Sequence, residues 1–165
     1  MDTPLLIDTG GTFNKYYDPV NGELVVDGSS KALRDMLRRW HTDAEILSII
    51  GKDSLEMTSQ DRLELMMHIN QTPHERIVVV HGTDTMHVTA EYLAESELDK
   101  RIVLTGAMVP YSIDPVEATA NFASAFTFAI CGKTHGVFVA MHGMVLPWEE
   151  LVKDKEAGRF VRQIN

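Results

Sequence analysis

The chain has 165 residues, 44% apolar and 24% charged, with a net charge of −9. That length fits one domain, and the composition excludes a disordered chain. The acidic balance, without a Lys/Arg cluster to displace counterions, excludes nucleic acid as the main ligand, and no run approaches the ~18 apolar residues of a membrane span.

The opening MDTPLLID carries an acid at position 2 and no cationic segment, so it does not read as a signal peptide and a cytoplasmic protein is expected. PLLID (4–8) is the first of five short apolar runs, followed by AEILSII (44–50), RIVVV (76–80), RIVLT (101–105) and GVFVAM (136–141). They are rich in Ile, Val and Leu without strict alternation, as strands covered on both faces of a parallel sheet are. After the first run, YYDPVNGELVV holds the turn pairs Asp18-Pro19 and Asn21-Gly22 and predicts a hairpin or mobile loop.

Residues 30–38, SKALRDMLR, predict a helix with Leu33 and Leu37 on one face. In TSQDRLELMMHIN, Thr58 and Asp61 stand at capping-box spacing, and Leu63, Met66, Met67 and Asn70 fall at i, i+3, i+4 and i+7. A third helix is expected from near Asp84 to about Glu97. A fourth starts at Pro115 and stops at Gly132. The lone Cys131 excludes an intrachain disulfide and reads as a buried small hydrophobe within FTFAIC. The last stretch, EELVKDKEAGRFVRQIN, reads as a tail or a helix leading away from the sheet. The alternation predicts an α/β fold, a three-layer α/β/α sandwich with a mostly parallel flavodoxin/Rossmann-like sheet.

Polar residues gather after each run: Asp8-Thr9-Gly10-Gly11-Thr12, then Gly51-Lys52-Asp53-Ser54, His81-Gly82-Thr83-Asp84-Thr85, Gly106-Ala107-Met108 and His142-Gly143. Open α/β sheets bind ligands outside the carboxyl ends of their strands, so one rim should form a site. Neither GxxxxGK[ST] nor GxGxxG is present, so a phosphate loop finds little support. His81, His87 and His142 fit no paired metal-ligand spacing, and neither a metal nor a cofactor is expected; His81 is the histidine of interest. A threonine on a glycine turn could instead expose its hydroxyl as a nucleophile, with backbone N–H groups beside it for an oxyanion. Thr83 and Asp84 offer a hydroxyl and a carboxylate that a lysine could join, or they simply cap the following helix.

TGGT at 9–12, HGTDTM at 81–86 and RIVLTGAMVP at 101–110 resemble the signatures of the bacterial-type L-asparaginase family, amidohydrolases with a threonine nucleophile. The resemblance covers nearly all of this chain but only the N-terminal half of the family fold. It implies Thr9 as nucleophile, with Thr83, Asp84 and Lys153 as the second catalytic set; Lys153 is placed through VLPWEELVK. Asp84 would face the substrate α-amino group, Ser54 its α-carboxylate, and the Ala107 backbone the side-chain amide, with Thr83 and Gly10 also contacting substrate. Thr12, the other hydroxyl of the first motif, would be structural or supporting, and Tyr16 or Tyr17 would be the mobile tyrosine. Leu55 departs from the pattern, standing where members often carry a polar contact, and residues 117–121 match the next helix only loosely.

Beginning at Met1, residues 1–165 read as a single short homologue without the family's C-terminal domain. The implied function is hydrolysis of L-asparagine or a related small carboxamide to the carboxylate and ammonia. The alternative is a non-catalytic module that binds an amino acid or docks on a partner. A homodimer or higher homo-oligomer is expected, because the missing domain would otherwise leave apolar surface bare.

Overall fold

The computed structural model describes residues 3–164. Five parallel strands, β1 (Leu5–Gly10), β4 (Ile46–Lys52), β5 (Arg76–Val80), β6 (Arg101–Thr105) and β7 (Gly136–Met141), lie in the order β4-β1-β5-β6-β7. A sixth, β8 (Met144–Pro147), pairs antiparallel with β7 at the edge. Two separate hairpins join β2 (Lys15–Asp18) to β3 (Glu23–Val26) and β9 (Leu151–Asp154) to β10 (Arg159–Arg162).

Alternate residues of each central strand feed two cores. Leu5, Ile7, Ile77, Val79, Ile102 and Leu104 meet α2 (Ser59–Gln71) and α3 (Met86–Glu95) on one face. Leu6, Val78, Val80 and Val103 meet α1 (Lys31–Arg39) and α4 (Pro115–Cys131) on the other. Both faces are covered, which is why these strands read as continuous apolar runs. The expected three-layer α/β/α sandwich is therefore the fold observed.

Local signals explain most element ends. The capping box at Thr58 and Asp61 is formed, with both reciprocal bonds in place. Asp114 caps α4 ahead of Pro115 through the Val116 N–H. Gly132 ends α4 with φ −59, so left-handed backbone is not the reason for glycine here. A Cβ there would lie 2.8 Å from both the Arg101 side chain and the Phe128 carbonyl.

Several expectations are corrected. Residues 148–164 form neither tail nor helix but a 3-10 turn (Trp148–Glu150) and the β9–β10 hairpin, which buries Leu151 and Phe160 in the α3-side core. The buried stripe of α2 is Leu65 and Ile69; Leu63, Met66, Met67 and Asn70 lie partly or fully exposed. Both stripes have helical spacing, and Arg62, buried against Thr85 and Thr89, fixes the rotation. Helix α3 begins at Met86, because Asp84 is engaged in the turn before it. Cys131 is exposed, just beyond the buried stripe that ends at Ala129. No described helix is long and apolar enough to cross a membrane.

Candidate active site

The first turn leaves β1 through Gly10 (φ +112) and Gly11 (φ +80) into a 3-10 turn, Thr12–Asn14. Asp8 Oδ1 accepts the Gly10 N–H at 3.2 Å and an Asn14 side-chain N–H at 2.7 Å, while Asn14 also donates to the Gly10 carbonyl at 2.8 Å. The expectation that the glycines lift Thr9 clear of the sheet is not met. Thr9 is fully buried, and its hydroxyl donates to the Val80 carbonyl of the neighbouring strand at 2.8 Å. Thr12 is half-buried at the start of the turn, and its hydroxyl has no hydrogen-bond partner among the described residues.

Gly11 brings this turn against the one after β5. A Cβ on Gly11 would come within 2.5 Å of the Gly82 Cα and N, so the adjoining residues Thr12 and Thr83 belong to one rim. Lys153, reaching in from β9, donates to Thr83 Oγ1 at 2.8 Å and pairs with Asp84 Oδ1 at 2.7 Å. The Lys153 side chain is 15% exposed and that of Asp84 34%. Thr83 and Asp84 do not cap α3: its N-cap is Thr85, which makes no side-chain cap bond.

Burial pushes His81 down to about 4, so the ring is neutral. Its Nδ1–H donates to the Gly82 carbonyl at 2.7 Å, leaving Nε2 to accept from the Thr89 hydroxyl at 2.7 Å. Arg62 in turn donates to Thr89 at 2.9 Å. His81 is therefore a buried brace beneath the Gly82 turn. Its ring is fully buried.

Ser54 opens a 3-10 turn (Ser54–Glu56) and is buried against the second loop: its Oγ accepts the Thr85 N–H at 3.3 Å and its carbonyl accepts the Thr85 hydroxyl at 2.9 Å. Beside it, Lys15 pairs with Asp53 at 2.6 Å, tying β2 to this turn. Burial pushes the Asp53 carboxyl up, but Lys15, the Leu55 N–H and nearby Lys153 together hold it below the usual range. Leu55 is 70% exposed and offers no polar group.

Ala107 is buried after β6, and the loop beyond it is held by α4. Glu117 accepts the N–H groups of Met108 and Val109, each at 2.9 Å, and Asn121 donates to the Gly106 carbonyl at 2.9 Å. His142 then links Glu117 Oε2 at 2.7 Å to the Phe160 N–H at 3.1 Å. Glu117 and Asn121 were given no role from the sequence, and His142 was noted only after its strand; the signal there to be read was an acid and an amide four residues apart at the start of the helix after β6.

Tyr16 is half-exposed on β2. It lines a cavity of about 230 Å³ with Phe13, Lys31, Asp35 and Tyr111, whereas Asp84 and Lys153 line another of about 420 Å³ with His87, Trp148 and Lys155. Tyr17 is more exposed than Tyr16, at 59% against 43%. Among the described residues, no three His, Cys, Asp or Glu side chains are grouped to hold a metal.

The family model "Asparaginase, N-terminal" matches residues 5–157. A glutamyl-tRNA(Gln) amidotransferase component from Methanococcus vannielii is 30% identical over 151 residues, covering 85% of this chain and 34% of that protein. A probable periplasmic L-asparaginase of Haemophilus influenzae is 30% identical over 161 residues, covering 90% and 45%. The thermostable L-asparaginase of Thermococcus kodakarensis superposes with a TM-score of 0.81 at 23% identity, over 96% of this chain and 50% of that one. The chain thus spans about a third to a half of the length of these relatives.

Proposed function

The chain belongs to the asparaginase family through its N-terminal domain, and from that membership we propose that it hydrolyses a small carboxamide, L-asparagine or a close relative, to the carboxylate and ammonia. The observation that carries the reading is Lys153, which meets Thr83 and Asp84 at 2.8 and 2.7 Å across about seventy positions of sequence. An ammonium so held is within hydrogen-bond reach of the threonine hydroxyl and can pass a proton between it and a reacting group.

The nucleophile in this reading is Thr12. Its hydroxyl stands unengaged on the same rim, whereas that of Thr9 is committed to the Val80 carbonyl. Attack by Thr12 Oγ1 on the amide carbon would form an acyl-enzyme and release ammonia, and water would then cleave the ester. Backbone N–H groups of the glycine turns are suited to the developing oxyanion. In this reading Asp84 would face a substrate α-amino group, and Ser54, Thr83, Gly10 and Ala107 would contact the substrate; Tyr16 has no assigned role here.

The test is ammonia release from L-asparagine, L-glutamine and dipeptide amides by the wild type and by Thr12→Ala. Release that disappears in Thr12→Ala supports the reading; silence across the panel, or release unchanged in the variant, rejects it. The second reading, a domain that binds an amino acid or a partner without turnover, is favoured by exposed Leu55. It predicts thermal stabilisation by asparagine with no ammonia. A symmetric dimer is the proposed assembly, and a monomer mass by light scattering at micromolar concentration would reject it.

A further inference from the structure

Two buried polar side-chain atoms lack a hydrogen-bond partner among the described residues: Asp8 Oδ2 and Asn14 Oδ1. Each shares its carbon with one atom of the 2.7 Å bond from Asn14 Nδ2 to Asp8 Oδ1. The Asn14 amide cannot be turned over, because its nitrogen faces two acceptors, Asp8 Oδ1 and the Gly10 carbonyl. Bare acceptors at this depth are costly, and a bare ionised carboxylate oxygen more so.

Both bare atoms are acceptors, and a single proton on Asp8 Oδ2 would supply the donor they lack: an acid O–H directed to the amide oxygen, beside the amide N–H that donates to the acid's other oxygen. Burial lifts the Asp8 carboxyl to about 6, against the pull of the Ser30 hydroxyl, which is near the carboxyl but makes its hydrogen bond with Ser48 Oγ and not with Asp8, and of the Gly10 N–H and the Asn14 amide. Ser30, at the start of α1, shares its hydroxyl with Ser48 of β4 at 2.6 Å, and Ser48 is the strand partner of Asp8. The charged group felt here is Asp27, another carboxylate, which adds to the rise.

We propose that Asp8 is a positioning residue, which as a neutral acid paired with the Asn14 amide locks the turn that presents Thr12. When Asp8 releases its proton to solvent, the pair opens and the turn loosens. The effect on rate rests on the reading of Thr12 as nucleophile; the acid–amide pair does not.

The experiment follows the carboxyl carbon signal of Asp8, the Gly10 amide and the Asn14 side-chain NH₂ by NMR on the full chain, from about pH 4.5 to 8. The expected result is one shared inflection near 6 in all three. Asp8→Asn, which replaces the acid O–H by an amide N–H, should hold the Gly10 and Asn14 signals near their low-pH positions at every pH. Asp8→Ala should displace them throughout. Thr12-dependent ammonia release should show a matching fall in kcat in the wild type, and Asp8→Asn should lack it. Signals that fail to titrate in the wild type, or that titrate equally in Asp8→Asn, overturn the proposal. A shared inflection without any amide hydrolysis leaves the pair standing and rejects the hydrolase; hydrolysis without the inflection does the reverse.

Discussion

Gly11 and Gly82 meet backbone to backbone, a Cβ on Gly11 reaching 2.5 Å from both the N and the Cα of Gly82. Strands β1 and β5 are neighbours in the sheet, so their two exit loops must cross the same space. Residues without side chains let them do so. On the far side of Gly82 stands Ser54, whose Cβ would be 2.6 Å from a Cβ added there. Three loops from β1, β4 and β5 are thereby closed against one another, and Thr12, Ser54 and Thr83 come to a common rim.

Gly11→Ala should be severely damaging. The residue has φ +80, which an alanine tolerates poorly, and the atoms it would strike are backbone and cannot rotate away. Backbone strain of this kind costs about 1–3 kcal/mol, and the clash adds to it. A loss of about 3 kcal/mol lowers Tm by roughly 6–12 °C in a chain of this size. Thermal unfolding reads the shift, and a variant melting with the wild type would contradict the contact.

Thr9→Ala and Thr12→Ala should separate stability from chemistry. Thr9→Ala removes a buried hydrogen bond and should cost about 1–2 kcal/mol while leaving measurable turnover. Thr12→Ala removes a hydroxyl with no hydrogen-bond partner, so its stability should stay within about 0.5 kcal/mol of the wild type. Its amide hydrolysis should fall by roughly a thousandfold or more, as removal of a nucleophile does. Urea unfolding beside an ammonia assay decides both, and the opposite pattern would return the nucleophile to Thr9.

The sheet was legible because its strands are buried on both faces, and Thr83, Asp84 and Lys153 because motif and order placed them. What the sequence could not disclose was which threonine of TGGT keeps its hydroxyl. That depends on Thr9 lying beside the Val80 carbonyl of a strand about seventy residues later. The α2 stripe was misread because series at helical spacing start from both Leu63 and Leu65, and the face that turns inward carries Leu65 and Ile69 into the core beside buried Arg62, which bonds Thr85 and Thr89. The C-terminal hairpin was missed because LVKD and RFVR are short, and Leu151 and Phe160 become buried only against a core built by earlier strands.

His142→Ala should loosen the hairpin that carries Lys153. The ring accepts the Phe160 N–H at Nδ1, so Nε2 bears the proton given to Glu117, and Glu117 holds the loop beyond Ala107. Removing the ring leaves the Phe160 N–H and one Glu117 oxygen without these bonds, a cost of about 1–3 kcal/mol. Hydrogen exchange should quicken across β9 and β10 more than across β5 or β6. Uniform exchange through all four strands would deny the link.

Stability should carry two opposed pH dependences, one from Asp8 and one from His81. Asp8 is raised from 3.8 to about 6, so the folded chain holds its proton more tightly than the unfolded one. That contribution is full below 3.8 and lost as pH rises through about 6, a change of roughly 3 kcal/mol. His81 is lowered from 6.5 to about 4, so its contribution is full above 6.5 and lost as pH falls through about 4, by a similar roughly 3 kcal/mol. Between about 4 and 6 the two slopes offset each other in the wild type. Asp8→Asn removes the first alone. Its stability relative to the wild type should therefore improve by roughly 2–3 kcal/mol from acid to neutral pH, read by urea unfolding at fixed ionic strength. A difference that stays constant with pH would mean that Asp8 ionises in the folded chain as freely as in the unfolded one.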